Sequence, residues 1–209
     1  CLVGSEMCIR DRQTPLAVCM NKLELLSEHP DCTEDQLKEI AGLHQALNGI
    51  IRLNKSLLLL SRIDNKQFPE TRDICLNHLI HKILEGINDI YERKALHLRV
   101  SEKESLVCTM NESLATTLIT NLIKNAYVHN YEKGDIGITI SRRMLTIANT
   151  GIDKTLDKEL LFARFASQSK QQESTGLGLA IVKSIVDLYS IRIDYQYANG
   201  MHTFTLLFY

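Results

Sequence analysis

The sequence contains no tryptophan, only 3 prolines among 209 residues, and no apolar run long enough to span a membrane. The four leucines at 57–60 lie in a charged segment, so we expect them in the core of a helical bundle and not in a membrane anchor. A net charge of -1 gives no bulk attraction for nucleic acid or for an anionic membrane. The length allows one large domain or two small ones.

Cysteine spacings typical of metal or redox sites are also missing. No two cysteines are separated by the two-residue gap of a zinc knuckle or a redox motif, and no histidine spacing completes such a site. A disulfide framework would be unusual at this length and helical content, so we interpret the cysteines as reduced cytosolic thiols. They are Cys1, Cys8, Cys19, Cys32, Cys75 and Cys108.

The first twelve residues, CLVGSEMCIRDR, differ in character from the rest of the chain, because they lack the helical periodicity that begins at residue 13. Their apolar stretch is too short for a signal peptide. They resemble the translated adapter read-through found at the ends of some assembled sequences, and we predict that 1–12 is a non-native segment. The alternative is a genuine, disordered N-terminus.

Residues 13–64 predict a helical hairpin. One amphipathic helix covers 13 to about 27, His29-Pro30-Asp31 interrupts it, and Thr33 offers an N-cap for a second helix from about 34 to 62. Two helices cannot bury a heptad seam alone, so we expect a dimeric four-helix bundle; the alternative is a hairpin packed on the next domain. The seam contains Ile40, Leu43, Leu47, Ile50, Asn54 and Leu57.

Residues 65–70 read as a linker, and 71–209 alternate between helical and strand periodicity. This pattern predicts an α+β chain whose second domain is an α/β sandwich, a mixed sheet with helices on one face. The predicted elements are strand 74–76, helix 79–95, strands 96–100 and 106–109 around a charged turn, helix 112–129, a hairpin of strands 136–140 and 144–148, helix 178–189, and a last hairpin of strands 191–197 and 202–208.

The first motif with chemical character is NLIKNA at 121–126. Asn121, Asn125 and His129 recur every four residues and share one helix face, while leucines form the buried face. Amide oxygens suit a Mg²⁺ ion that phosphates hold for the most part, although a solvated polar face gives the same pattern.

Two further motifs lie at the ends of predicted elements. NTG at 149–151 ends a strand, where the Asn149 oxygen could accept from a ring amine and Gly151 could leave room for a base; a simple turn is the alternative. LFARF at 161–165 precedes a Ser-, Gln- and Lys-rich stretch, 166–173, that we predict to be a mobile lid.

The fourth motif, TGLGL at 175–179, opens a helix. Glycines at a helix start let backbone N–H groups approach a phosphate. The motif is not a Walker loop, since no Lys-Ser/Thr comes after it, and it is not a Rossmann turn, since no strand feeds into it.

In this order the four motifs resemble the N, G1, F and G2 boxes of histidine kinases, within the wider ATPase superfamily of gyrase, MutL-type proteins and heat-shock chaperones. The resemblance covers about 68–209. In addition, Gln13-Thr14-Pro15-Leu16 followed by a helical hairpin resembles the dimerisation and histidine-phosphotransfer domain, where the family pattern is His-Glu-x-x-Thr-Pro-Leu.

The resemblance implies ATP and Mg²⁺ as cofactors and a role for each matching residue. Asn125 would ligate Mg²⁺, Asn121 would lie beside it near the phosphates, and His129 would pack by the nucleotide. Asn149 would hold adenine in place of the family's aspartate. The other implied ATP-binding residues are Gly151, Phe162, Phe165, Thr175, Gly176, Leu177, Gly178 and Leu179, with the two phenylalanines anchoring the lid.

The sequence departs from the family pattern at several positions. Val128 replaces a basic residue and Ser167 replaces an arginine, so we expect Lys124 or Lys170 to contact phosphate instead. Alignment on Thr14, the position tied to response-regulator dephosphorylation, places Arg10 where the phosphoacceptor histidine should be. An arginine stays protonated and cannot attack a γ-phosphate.

Because Arg10 lies within 1–12, we expect that truncation removed the natural histidine, and that this chain binds Mg-ATP without phosphorylating itself. The resemblance implies autophosphorylation on histidine in the parent kinase, then transfer to an aspartate of a response-regulator receiver domain. It also implies a homodimer through 13–64, no nucleic-acid partner, and membrane attachment only through missing upstream segments, which makes this the cytoplasmic portion of a membrane-anchored sensor.

Two other interpretations remain open. If Arg10 is genuine, the chain is an ATP-binding dimeric pseudokinase or scaffold. A gyrase- or chaperone-type ATPase would need a transducer domain after the ATP fold, where this sequence has only its last hairpin.

Overall fold

A computed structural model describes residues 13–165 and 176–209. Within these residues the chain divides into two compact units, a smaller one ending at Ser61 and a larger one beginning at Arg62. The predicted α+β class, helices followed by a mixed sheet, is confirmed.

The smaller unit is a helical hairpin. Helix α1 runs over Gln13–Ser27, and helix α2, Glu34–Asp64, continues into the larger unit. The predicted cap is confirmed as a reciprocal pair, since the Gln36 N–H donates to Thr33 Oγ1 at 3.3 Å and the Thr33 N–H donates to Gln36 Oε1 at 2.9 Å.

The hairpin leaves part of its apolar seam uncovered. Leu43 is 54% exposed and Ile50 is 46% exposed, while Leu25, Leu26 and Leu37 of the same unit are also exposed. A single copy of the hairpin therefore does not bury this surface. No helix in the described part of the chain has the length and apolarity that crossing a membrane requires.

The larger unit contains two sheets. The strands of the five-stranded sheet are β2 His97–Glu102, β4 Asp135–Ser141, β5 Met144–Thr150, β6 Arg192–Ala198 and β7 Met201–Leu207. Their order is β2-β4-β5-β7-β6, with β2 parallel to β4 and the other neighbours antiparallel. A separate antiparallel pair joins β1, Arg72–Cys75, to β3, Val107–Met110.

The segments predicted as strands around a charged turn, 96–100 and 106–109, belong to different sheets. The first pairs with β4, and the second pairs with β1. The side chain of Asn77 accepts the Leu106 N–H at 2.9 Å and so fixes the start of β3 beside β1. This pairing depends on contacts distant in sequence, which local periodicity does not contain.

The helices of the larger unit are α3 Leu76–Tyr91, α4 Glu112–Val128, α5 Lys158–Leu161 and α6 Gly178–Leu188, with a 3₁₀ turn at Glu92–Lys94. Residues on β4, β5 and β7 alternate between buried and partly exposed positions, as a sheet covered on one face requires. Helices α4 and α6 pack against each other, and they contact β5 and β6 respectively. The core thus lies between these helices and one face of the sheet.

Candidate functional site

Helix α4 begins at a side-chain cap and presents a buried and a polar face. The Asn111 side chain accepts the N–H groups of Ser113 and Leu114 at 3.0 and 3.3 Å. Leucines at 114, 118 and 122 are buried, whereas Asn121 and Asn125 are only partly buried. The asparagine stripe therefore stays accessible beside the core.

The structure brings Asn121 to the start of α6. Asn121 Nδ2 donates to the Thr117 carbonyl at 2.9 Å, and its Oδ1 would stand 3.0 Å from a Cβ added at Gly178. Only a glycine lets the two helices approach this closely without displacing the amide. The first and fourth motifs are thus brought into direct contact.

The entry to α6 has an unusual backbone. Gly176 has a φ of +67°, its carbonyl accepts the Phe165 N–H at 3.1 Å, and Leu177 is fully buried at the N-cap position. No described side chain caps α6, in contrast to α4. The N–H groups of the first turn are the donors with which a helix start can bind an anion.

The end of β5 carries the NTG motif. Asn149 is 2% exposed and lies opposite His202 of β7, and its Nδ2 donates to the Thr150 carbonyl at 2.8 Å. That bond leaves Oδ1 as the acceptor of the side chain. A Cβ at Gly151 would stand 3.0 Å from the His202 ring and 3.1 Å from the His129 carbonyl, so a side chain there would press on both groups.

His129 follows α4 and faces two cationic or titratable groups. Desolvation of its ring lowers its pKa, and the Lys94 ammonium and the His202 ring lower it further, although part of the residue is exposed. The neutral imidazole is therefore favoured, and it can pack as an apolar ring.

The remaining predicted residues have mixed surroundings. Phe162 is partly buried and Phe165 is 59% exposed, with a φ of +65°. Leu179 is partly buried on α6, and Thr14 is exposed on α1. Segment 1–12 with Arg10, and 166–175 with the predicted lid, Ser167, Lys170 and Thr175, lie outside the described residues.

Sequence reasoning missed a polar network that closes the end of α4. Lys94 Nζ donates to the carbonyls of Tyr127, Val128 and Asn130 at 2.9, 2.8 and 3.0 Å. The ammonium thereby neutralises the negative end of the helix dipole. Nothing in the sequence around Lys94 indicates this contact with residues more than 30 positions away.

A second missed group joins this helix end to the sheet. Thr150 Oγ1 donates to Asn130 Oδ1 at 2.6 Å and accepts the Asp135 N–H at 2.9 Å, while Asn130 Nδ2 donates to the Asp135 carbonyl at 3.1 Å. Gly134 lies inside this cluster, where a Cβ would be 2.1 Å from Asn130 Oδ1. Because Thr150 belongs to the NTG motif, the sequence could have indicated that this threonine matters, although it does not indicate its partners.

In the described part of the chain, no three histidine, cysteine, aspartate or glutamate side chains lie close enough together to hold a metal ion. Near the start of α6, the Asn121 side chain of α4 supplies an amide oxygen, and Asn125 lies one helical turn further along the same face. Such a donor set fits a hard cation held mainly by a ligand's phosphates.

Comparison with known proteins identifies the family. Residues 110–208 match the family described as histidine kinase-, DNA gyrase B-, and HSP90-like ATPase. The chain is 32% identical over 206 residues to the heme sensor protein HssS of Staphylococcus saprophyticus and 27% identical over 202 residues to the sensor histidine kinase HprS of Escherichia coli. These alignments cover 94% and 93% of this chain but 44% of each relative, so the chain spans less than half the length of these curated relatives.

Solved structures give the same fold. Full-length ShkA in complex with AMPPNP aligns with a TM-score of 0.74 at 16% identity, over 98% of this chain and 46% of that chain. The histidine kinase AdeS of Acinetobacter baumannii aligns with a TM-score of 0.61 at 17% identity, over 94% and 95%. Residues 110–208 belong to the histidine kinase-, DNA gyrase B- and HSP90-like ATPase family, in a chain related to sensor histidine kinases.

Proposed function

We propose that residues 71–209 bind Mg-ATP and that the chain is the catalytic part of a sensor histidine kinase. In the parent reaction, a histidine nitrogen takes the γ-phosphoryl group of ATP and ADP leaves; an aspartate of a response-regulator receiver domain then takes the phosphoryl group. In this proposal 13–64 form the dimerisation and phosphotransfer hairpin, and 65–70 form the linker.

The contact between Asn121 and Gly178 carries this proposal. It brings Asn121 of α4 to the glycine-rich start of α6, so that a phosphate chain on the α6 amides would have this amide oxygen beside it. Neither feature alone indicates a nucleotide, because polar helix faces and glycine-rich turns are common. Their direct contact is the observation that supports a nucleotide site here.

The remaining site residues are assigned by their surroundings. We propose that Asn149 Oδ1 accepts a hydrogen bond from the adenine amine and that Gly151 leaves space for the base. The neutral ring of His129 would pack beside the nucleotide. Asn125 is the proposed magnesium ligand. When bound, Mg²⁺ would neutralise charge on the transferring phosphates. The AMPPNP complex of ShkA supports ATP as the nucleotide.

Calorimetric titration of ATP with Mg²⁺ tests the nucleotide site. We expect saturable binding by the wild type that weakens at least about tenfold in Asn125→Ala, a loss of roughly 1.4 kcal/mol. Asn48→Ala is the matched control, because it also removes a helical asparagine, in α2 of the smaller unit. Absence of wild-type binding, or equal affinities of the wild type and Asn125→Ala, would contradict the proposal.

We further propose that this chain does not phosphorylate itself, since Arg10 occupies the phosphoacceptor position. Incubation with γ-labelled ATP should leave no acid-labile, base-stable label on the purified chain. Such a label on any histidine would refute this part of the proposal. The DNA upstream of codon 13 separates a lost histidine from a pseudokinase whose Arg10 is genuine.

Dimerisation through 13–64 is supported by the exposed seam at Leu43 and Ile50. Analytical ultracentrifugation should find a dimer for the wild type and a monomer for the Leu43→Glu, Ile50→Glu double variant. A wild-type monomer at high micromolar concentration would contradict the bundle. The receiver domain is proposed to dock near 16–26, with Thr14 as the residue for dephosphorylation, and the parent sensor is proposed to be membrane-anchored with this part in the cytoplasm.

A further inference from the structure

The loop that comes after β5, residues 151–157, is tied to the last hairpin by three side chains. His202, Tyr195 and Tyr197 of β6 and β7 each hold a different group of this loop. We call 151–157 the base loop, because it continues directly from Asn149. None of these three residues belongs to the four sequence motifs.

His202 forms the inner support of the base loop. It is 5% exposed, its Nε2 lies 2.9 Å from the Ile152 carbonyl, and its Nδ1 lies 2.8 Å from the Tyr195 hydroxyl. A carbonyl only accepts, so Nε2 carries the hydrogen and Nδ1 of the neutral ring is the acceptor. This tautomer satisfies both nitrogens.

Tyr195 continues the chain of hydrogen bonds back to the loop. Its side chain is fully buried, its oxygen accepts the Leu156 N–H at 3.2 Å, and its O–H is then available to donate to His202 Nδ1. The bonds therefore run in one direction, from Leu156 through Tyr195 to His202 and back to Ile152. Both ends of the base loop are fixed by one relay.

Tyr197 adds a third attachment on the outer side. Its hydroxyl donates to the Asp153 carboxylate, and its ring centroid lies 4.8 Å from that of His202. The bond to Asp153 raises the pKa of the Tyr197 hydroxyl, since it stabilises the protonated form that donates.

The His202 ring also lies close to Gly151, the first residue of the base loop. Its Cδ2 and Nε2 atoms would be 3.0 and 3.2 Å from a Cβ at Gly151, on one side of that residue, with the His129 carbonyl on the other side. A side chain from the neighbouring strand therefore lines one side of Gly151, close to Asn149.

We infer that His202 and Tyr195 are positioning residues for the nucleotide base, and that their relay holds 151–157 in the conformation that receives it. This inference rests on the proposed nucleotide site. The two residues are not catalytic, since they act through the base loop.

Hydrogen exchange and ADP titration of the full chain, with EDTA present, test this inference. In Tyr195→Phe the Leu156 amide loses its acceptor, and its exchange should accelerate at least about tenfold while amides of β4 keep wild-type rates. His202→Leu should weaken ADP binding about tenfold, as expected for lost buried hydrogen bonds. His202→Gln retains a donor that can reach the Ile152 carbonyl, and it should recover most of the affinity.

His97→Leu is the matched control, because it removes an exposed histidine from the edge strand β2. Wild-type exchange at Leu156 in Tyr195→Phe would overturn the relay. Equal losses in His202→Leu and His202→Gln would reduce His202 to a packing role and overturn its role as a hydrogen-bond donor. Absence of Mg-ATP binding by the wild type in the calorimetric titration would overturn the proposed function itself, whereas wild-type ADP affinity in His202→Leu would overturn only the positioning role.

Discussion

Gly178 and Asn121 are in direct contact, so a methyl group on the glycine would stand 3.0 Å from the asparagine Oδ1. The Asn121 amide is held from the other side by the Thr117 carbonyl at 2.9 Å. A shift of the amide away from Gly178 would lengthen that bond. The contact therefore makes the start of α6 sensitive to a single methyl group.

Gly178→Ala should separate nucleotide affinity from stability. Alanine raises helix propensity by up to about 1 kcal/mol, which offsets the strain against Asn121, so we expect a stability change below about 1 kcal/mol. ATP affinity should fall about tenfold, because the displaced amide and helix start no longer match the phosphates. Calorimetry and urea denaturation measure the two effects.

Gly86→Ala is the control for this variant. Gly86 is a helical glycine of α3 with nothing within 4 Å of an added Cβ, so alanine should stabilise the chain by about 0.5–1 kcal/mol and leave ATP affinity unchanged. Equal affinities of the wild type and Gly178→Ala would mean that the observed contact does not shape the site.

Gly134→Ala should be strongly destabilising. The added methyl group would stand 2.1 Å from Asn130 Oδ1 and 2.5 Å from Thr150 Oγ1, and both atoms are already hydrogen-bonded within the buried cluster. We expect a loss of about 2–3 kcal/mol in the free energy of unfolding, measured by urea denaturation. Gly137→Ala, in strand β4 that begins directly after Gly134, has open space at its Cβ and should stabilise slightly. A Gly134→Ala variant as stable as Gly137→Ala would contradict the packing described.

Lys94→Met should destabilise the chain through α4. The variant keeps most of the side-chain length but removes the donor that serves the carbonyls of Tyr127, Val128 and Asn130. Loss of these charge-assisted bonds should cost about 2 kcal/mol of unfolding free energy. The exposed Lys82 of the neighbouring helix α3 gives the control, and Lys82→Met should stay within about 0.5 kcal/mol of the wild type.

The contrast between local and distant contacts explains which features the sequence predicts. The hairpin of β4 and β5 is predicted by alternation alone, and the strands observed, Asp135–Ser141 and Met144–Thr150, extend the predicted ones by one or two residues. The pairing of β3 with β1, by contrast, joins Ile74 to Cys108 across a helix and another strand. No local period encodes such a choice.

The same distinction applies to the candidate site. Asn121, Asn149 and Gly178 could be predicted as site residues because each stands in a motif with its own spacing. Lys94 and His202 act on backbone carbonyls far along the chain, and neither position carries a periodic or compositional signal. Side chains that support a site from a distance become visible only when the fold brings them to it.

Cys75 and Cys108 lie at neighbouring levels of the β1–β3 ladder, but their thiols should differ in reactivity. Burial raises the pKa of Cys108 to about 11, with the Asp73 carboxylate adding to the effect. A hydrogen bond from the His78 backbone lowers the pKa of Cys75, and further bonds from Ser105 and Asn77 act in the same direction.

Since the thiolate is the nucleophile, the order of alkylation should reflect these pKa values. At pH 8 a thiol with a pKa of about 11 is ionised in only about one molecule in a thousand. Iodoacetamide should therefore modify Cys75 before Cys108. The rate at Cys108 should rise about tenfold per pH unit for as long as the fold persists. Peptide mass spectrometry over time measures both rates, and the chain unfolded in urea, where the two rates should converge, is the control. Faster modification of Cys108 in the folded chain would mean that the β1–β3 pair opens readily and does not desolvate this thiol.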